Sequence, residues 1–235
     1  MHYRDLRGWL DGVDSFGELR VVEGADWNQE IGAVAEVAAQ SETPPAGLFD
    51  KIKDYPAGRR VLTGIHNPTL KRQCLTNHLP LDLSRDQFID AWKKRLDNPK
   101  LIPPRIVDTG PLLENVFEGK DIDLLSLPAP HWHEGDGGRY LGSLDITISR
   151  DADEGWINLG CYRVMVHDRD TLRFISRQDI TATFTGKNIS TRASRSRSRS
   201  ASAPIHCFGS SARWKFRRGS PNTTTRAACA ASPMK

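Results

Sequence analysis

The sequence predicts an α+β protein, with a mixed α/β N-terminal domain followed by antiparallel strands. Two observations predict it. Over the first ~110 residues apolar side chains recur at helical spacing, interrupted by short strand-like runs. From Tyr140 the period changes to two, as a strand with one buried face requires. A third observation sets the limits of the prediction, because the charge is divided along the chain. Residues 1–176 carry 21 Lys+Arg against 28 Asp+Glu, a net of −7, whereas 177–235 carry 12 against the single acid Asp179, a net of +11. The overall +4 therefore describes neither part.

The elements follow in order. Leu6, Trp9, Leu10 and Val13 share one helical face, and Leu19 to Val22 is a short apolar strand. Asp26 is placed to cap a helix through Ile31, Val34, Ala35 and Ala38. Arg59 to Ile65 reads as a strand. Ser84-Arg85-Asp86-Gln87 is a capping box ahead of Phe88, Ile89, Trp92 and Leu96, and Pro99 ends that helix. From Pro103 to Pro130, proline, glycine and acidic residues suit an extended connector. Tyr140, Gly142, Leu144, Ile146 and Ile148 then alternate with Leu141, Ser143, Asp145, Thr147 and Ser149. Arg150 to Gly155 is a turn, Trp156 to His167 a second strand, and Thr171 to Ser176 a third. Such a meander begins a barrel or a sandwich.

Several function classes are excluded at this stage. Cys74, Cys161, Cys207 and Cys229 are widely spaced without a CxxC pair, which argues against a zinc ribbon or a disulfide framework. No apolar run approaches the ~18–20 residues of a membrane span, and the N-terminus lacks a signal-peptide pattern. A reducing, cytoplasmic location is the expectation.

Four segments then carry a resemblance: Glu114-Asn115-Val116-Phe117-Glu118-Gly119, Ile122-Asp123-Leu124 through Leu127-Pro128, Asp136-Gly137-Gly138-Arg139-Tyr140, and Asn158-Leu159-Gly160-Cys161-Tyr162-Arg163. In that order and spacing they resemble the UbiD family of prenylated-flavin-dependent (de)carboxylases. The resemblance covers residues 1 to about 176, roughly the first third of a typical family member. It implies a mixed α/β N-terminal domain over 1–112 and, over 113–176, the start of a split-barrel flavin-binding domain of the flavin-reductase type. It also implies non-oxidative (de)carboxylation of an aromatic or α,β-unsaturated acid by a homo-oligomeric carboxy-lyase. The cofactors would be prenylated FMN and a divalent metal, manganese foremost, with potassium as a further ion.

The resemblance assigns roles to one run. Asn158 matches the family residue whose oxygen reaches a metal bridging the flavin phosphate, a hard cation that takes oxygen ligands. Gly160 would let the backbone approach the cofactor. Arg163, the catalytic candidate, matches an arginine near the flavin and the substrate carboxylate, where a planar bidentate donor is suited. Leu159, Cys161 and Tyr162 complete the cofactor-binding run. Taken singly these residues read otherwise: Asn158 as a turn-end hydrogen bonder, Gly160 as a bulge, Cys161 as a small buried residue, Tyr162 as core, Arg163 as a surface ion pair. His131-Trp132-His133-Glu134 has metal-ligand residue types but falls in the connector. His66, His78 and His167 lack partners at ligand spacing.

After Ile175-Ser176 the family pattern breaks. The family continues with a turn whose His is a metal ligand; this chain reads Arg177-Gln178-Asp179-Ile180, with Asp179 near the His position as a substitute oxygen ligand. Ser190 to Ala203 is rich in Ser, Arg and Ala, and Asn222 to Ala231 in Thr and Ala. Residues 177–235 thus read as a basic, low-complexity, disordered tail. One reading is a tail that binds nucleic acid by phosphate neutralisation. The preferred reading is a shifted coding frame. Taken one base upstream, the codons permit Pro-Ala-Arg-His-His-Gly over 176–181. They also permit family-like segments over 193–207 and 219–226, the last containing a Glu. On that reading the chain is a truncated, inactive family member, and nucleic acid is not its partner.

Overall fold

The computed structural model of the chain describes residues 3–65, 69–97, 105, 107–110, 114–142, 146–150, 157–175, 180–185, 189–193, 206–208, 213–215 and 228–229. Side chains are described as far as Arg173, apart from residues 146–150 and 157–160. The chain divides into two compact units: 1–22, 34–49 and 62–108 form the first, and 23–33, 50–61 and 109–235 the second. The expected domains were continuous in sequence. The observed units differ because residues 23–33 and 50–61 group with the later part of the chain.

In the first unit α1 (Leu6–Ser15) starts where the Asp5 carboxylate accepts from the Gly8 N–H, and it buries Trp9, Leu10 and Val13, three of the four residues on the predicted face. These pack with Ala46, Leu48, Leu62 and Leu75 into the core of this unit, with Leu6 at its margin. The Trp9 indole donates to Thr76 Oγ1 at 2.9 Å. Strands β1 (Leu19–Glu23), β2 (Ala46–Asp50) and β3 (Val61–Thr63) form a three-stranded sheet in that order. The strand expected over Arg59 to Ile65 is thus only three residues long. Helix α2 (Glu30–Ala39) begins four residues after Asp26. The Asp26 carboxylate instead takes the Asn28 N–H at 2.8 Å, and Glu30 reaches back to the Asp26 N–H at 2.7 Å.

Helix α3 (Leu70–Thr76) escaped the sequence reading; its N-cap is Thr69, whose hydroxyl accepts from the Arg72 N–H. The capping box of α4 (Arg85–Asp97) forms as expected, with Gln87 N–H to Ser84 Oγ at 3.3 Å and Ser84 N–H to Gln87 Oε1 at 2.8 Å. Pro99 lies outside the described residues. No residue of α4 is buried, and Ile89 and Leu96 are exposed.

In the second unit the connector is packed, not merely extended: Ile122, Leu124, Leu127 and Ala129 are all buried. It opens with the two-residue strand β4 (Phe117–Glu118), and two 3-10 turns, Gly119–Asp121 and Leu124–Ser126, then bend it. The meander is antiparallel as expected, but its first two strands are each broken in two. Strands β5 (Arg139–Gly142) and β8 (Arg163–Val166) pair with each other, with a register shift between Tyr140 and Gly142. Between them in the chain, β6 (Ile146–Arg150) pairs with β7 (Ile157–Cys161) in a different sheet. The hairpin is therefore bent, and the single strand predicted from Trp156 to His167 changes sheets at Tyr162. Strand β9 (Thr171–Ile175) continues from β8.

Beyond Ser176 the described residues lie in short strands. Strand β10 (Ile180–Thr185) pairs with β9, and β11 (Ile189–Ala193) with β10. The alternating Ile-Thr-Ala-Thr-Phe-Thr of β10 is rich in β-branched residues, and the edge of β9 offers it a partner. Short strands over His206–Phe208, Arg213–Lys215 and Ala228–Cys229 add to other edges. No helix among the described residues is long and apolar enough to cross a membrane.

Candidate functional site

The second unit centres its chemistry on Arg163, the first residue of β8. Its guanidinium donates from Nη1 to Asp136 Oδ1 at 3.1 Å and from Nη2 to Asp136 Oδ2 at 3.2 Å, a two-pronged ion pair. The Arg163 Cζ lies 3.9 Å from the centroid of the Tyr140 ring, a cation–π contact. Tyr140 is buried, whereas the Arg163 side chain is 41% exposed and that of Asp136 12%. One face of the cation is thus floored by an aromatic ring, and one edge is held by a carboxylate.

Local sequence explains why Asp136 is there. Residues 133–136 make a turn in which the Asp136 N–H donates to His133 O at 3.0 Å, and the His133 N–H donates back to Asp136 Oδ2 at 3.3 Å. The turn is tied down at His131, whose N–H donates to Trp27 O and whose carbonyl accepts from Gln29 N–H. The two nitrogens of the His131 ring each face an oxygen of the anchor, and a neutral ring donates to one of them. Nδ1 sits 3.0 Å from Asn28 Oδ1, and Nε2 sits 3.2 Å from Asp136 O. Within the His131–Glu134 cluster, His131 and the His133 backbone therefore support Asp136. Burial pushes the Asp136 carboxyl up, but the hydrogen bond and charge of Arg163 outweigh it, and the group sits below its ordinary 3.8. Its contribution to stability is present above pH 3.8 and lost as pH falls through the lower folded value. Arg163→Ala should move the Asp136 titration upward in a carboxyl carbon NMR experiment; an unmoved curve would show that Arg163 does not hold it down.

The other expected site residues are distributed unevenly. Asn158 stands opposite Ser149, Leu159 opposite Ile148 and Gly160 opposite Thr147 on the β6–β7 ladder, but the side chains of 158–160 lie outside the described residues. Cys161 is exposed, which corrects the expectation of a buried residue: it ends β7 where the chain leaves one sheet for the other. Tyr162 is half-buried between the two strands. Asp179 and His66 lie outside the described residues. His78 stacks on Tyr3, and His167 Nε2 lies 2.9 Å from Arg173 Nη2.

Among the described residues no group of three or more His, Cys, Asp or Glu could hold a metal ion. The Arg163 guanidinium fits an oxyanion, and the side chain of Asn158, the expected metal ligand, lies outside the described residues. The sequence reading missed the partnership of Asp136 and Tyr140 with Arg163, although all three residues stand in the family-like motifs. It also missed a cavity of about 410 Å³ lined by Trp27, Asp54, Tyr55, Arg59, Leu125 and Arg139 among others. There the Arg139 guanidinium lies 4.1 Å over the Trp27 ring, donates from Nε to Ala129 O, and also donates to the Tyr55 hydroxyl.

Known proteins share this arrangement of sequence and fold. The family model for the UbiD 3-octaprenyl-4-hydroxybenzoate carboxy-lyase Rift-related domain matches residues 105–233. The chain is 33% identical over 174 residues to the pyrrole-2-carboxylic acid decarboxylase of Pseudomonas aeruginosa, covering 72% of this chain and 35% of that protein. It is 31% identical to the phenolic acid decarboxylase of Sedimentibacter hydroxybenzoicus, covering 72% of this chain and 36% of the relative. The open form of the vanillic acid decarboxylase of Sedimentibacter hydroxybenzoicus matches with a TM-score of 0.62 at 32% identity, over 74% of this chain and 36% of that one. The UbiD-class enzyme HmfF of Pelotomaculum thermopropionicum, at 24% identity and a TM-score of 0.61 over 80% of this chain and 45% of its own, shares the fold. The chain spans about a third of the length of the curated relatives it matches. With more than half of its residues inside the family match, the chain belongs to the UbiD family.

Proposed function

We propose that this chain carries part of a non-oxidative carboxy-lyase acting on an aromatic or α,β-unsaturated carboxylic acid, with prenylated FMN and a divalent metal as cofactors. The observation that supports this best is Arg163, a half-exposed guanidinium fixed on an aromatic floor in a motif of the family. Its relatives decarboxylate pyrrole-2-carboxylic, phenolic and ferulic acids by name. The flavin, when bound, supplies an electron sink for the departing carboxylate's electrons. This chain's own contribution is to receive an oxyanion at Arg163, which would orient a carboxylate or neutralise a phosphate. Asn158 is the residue assigned to the metal. A split barrel built on the bent β5–β8 hairpin is the architecture that this reading implies.

Inactivity of the chain as it stands belongs to the same proposal, since the family-like pattern breaks after Ser176. Its cause would be a shift of coding frame near Ser176. The composition change there supports it, while the family match running through residue 233 weighs against it. The test has two arms. The coding DNA around Ser176 is resequenced, and the 235-residue chain and a frame-restored version are incubated with prenylated FMN, manganese and pyrrole-2-carboxylate, 4-hydroxybenzoate or ferulate. Carbon dioxide release by the restored chain alone is the expected result. Release by the 235-residue chain would overturn the inactivity, and release by neither would sink the carboxy-lyase reading for these acids.

A further inference from the structure

We infer that Asp136 is the positioning residue of Arg163: it takes the Nη1/Nη2 edge of the guanidinium and so reserves the Nε edge for the oxyanion of a ligand. The inference rests on the reading that Arg163 receives an anion, and it deepens that reading by naming which edge does so. A guanidinium offers five N–H donors in one plane, enough for two separate two-oxygen acceptors. Asp136 uses Nη1 and Nη2, one hydrogen of each, and neither bond involves Nε. The Nε hydrogen and the outer hydrogen of the adjacent Nη are parallel, so a carboxylate or a phosphate can take both.

Rotation of the guanidinium is opposed twice. The buried Tyr140 ring lies 3.9 Å beneath it, and the Asp136 turn is fastened through His131 to Asn28. The Asp136 side chain is 12% exposed and that of Arg163 41%, so the carboxylate is largely enclosed while part of the arginine side chain stays open to solvent. The Asp136 charge also lowers the pull of Arg163 on anions in general. A site of this kind selects by orientation of two oxygens more than by net charge.

The test uses the whole chain with nitrogen-15 labelled arginine and two probes, benzoate for a carboxylate and FMN for a phosphate. In the wild type, the probe that belongs there should shift the Arg163 Nε–H resonance while the Nη resonances stay resolved, held by Asp136. Asp136→Asn should collapse the Nη resonances and let the probe shift Nη as well as Nε, because the edge that Asp136 occupied is now open. Asp136→Glu should restore the resolved Nη pattern. A probe that shifts the Nη resonances of the wild type and leaves Nε alone would overturn the assignment, since it would be displacing Asp136. Nη resonances that stay resolved in Asp136→Asn would overturn it as well. If neither probe shifts any Arg163 resonance in either protein, Arg163 is no anion site, and both the inference and the reading beneath it fall. The wild-type measurement alone distinguishes the two edges even if a variant misfolds.

Discussion

Replacing Glu18 by Gln should cost the first unit roughly 3–5 kcal/mol, the usual consequence of stripping a buried charge of its partner. Arg72 is fully buried, with Nη1 3.4 Å from Glu18 Oε2 and Nη2 donating to Pro44 O at 2.7 Å. Glu18 is in turn held by the Thr69 hydroxyl at 2.6 and 2.7 Å. Burial drags the Arg72 pKa down and the charge of Glu18 opposes that. Without Glu18 the guanidinium keeps its desolvation penalty and loses the opposing charge, retaining the Pro44 carbonyl. The double variant Glu18→Gln, Arg72→Met removes both charges and should lose less than the single one. Urea unfolding midpoints decide between them. Equal losses in the single and double variants would mean that packing, not charge pairing, is what Arg72 contributes.

The second large effect is expected at Gly32. A Cβ built there would sit 1.9 Å from Trp132 O and 2.8 Å from its carbonyl carbon, and backbone atoms cannot swing aside as a side chain can. Gly32→Ala should therefore fall at the upper end of the ~1–3 kcal/mol usual for overpacking. The displaced segment carries His131 on one side and the Asp136 turn on the other. The same substitution should thus loosen the Arg163 ion pair and move the Asp136 titration upward. Thermal unfolding together with the carboxyl titration reads both effects. Wild-type stability in Gly32→Ala would show that α2 and the Trp132 backbone do not meet as described.

Much of the local structure was legible because it depends on nearest neighbours. The α1 face and the Ser84–Gln87 box follow from spacing and hydrogen-bond chemistry within one turn of helix. Asp26 shows the limit, since a capping residue type was read correctly while its carboxylate closes a turn two residues on. What escaped the sequence are effects of residues distant in the chain. The Asn28–His131 bridge joins segments 103 residues apart, and it draws 23–33 toward the later strands without any local signature. The Asp136–Arg163 pair was written in two separate motifs, yet only the folded hairpin brings them together. The Trp156–His167 segment misled for a different reason: an unbroken β-rich run does not reveal that its two halves serve separate sheets.

That change of sheet at Tyr162 bears on the proposal that Asn158 and Arg163 share one site. They are five residues apart, and on an uninterrupted strand an odd separation puts two side chains on opposite faces. A shared ligand is incompatible with such a strand. Leaving β7 at Cys161 and entering β8 at Arg163 interrupts that alternation at Tyr162. If Asn158 and Arg163 share a ligand as proposed, lengthening or shortening the run by one residue at Tyr162 should abolish binding of that ligand while leaving every functional group in the sequence.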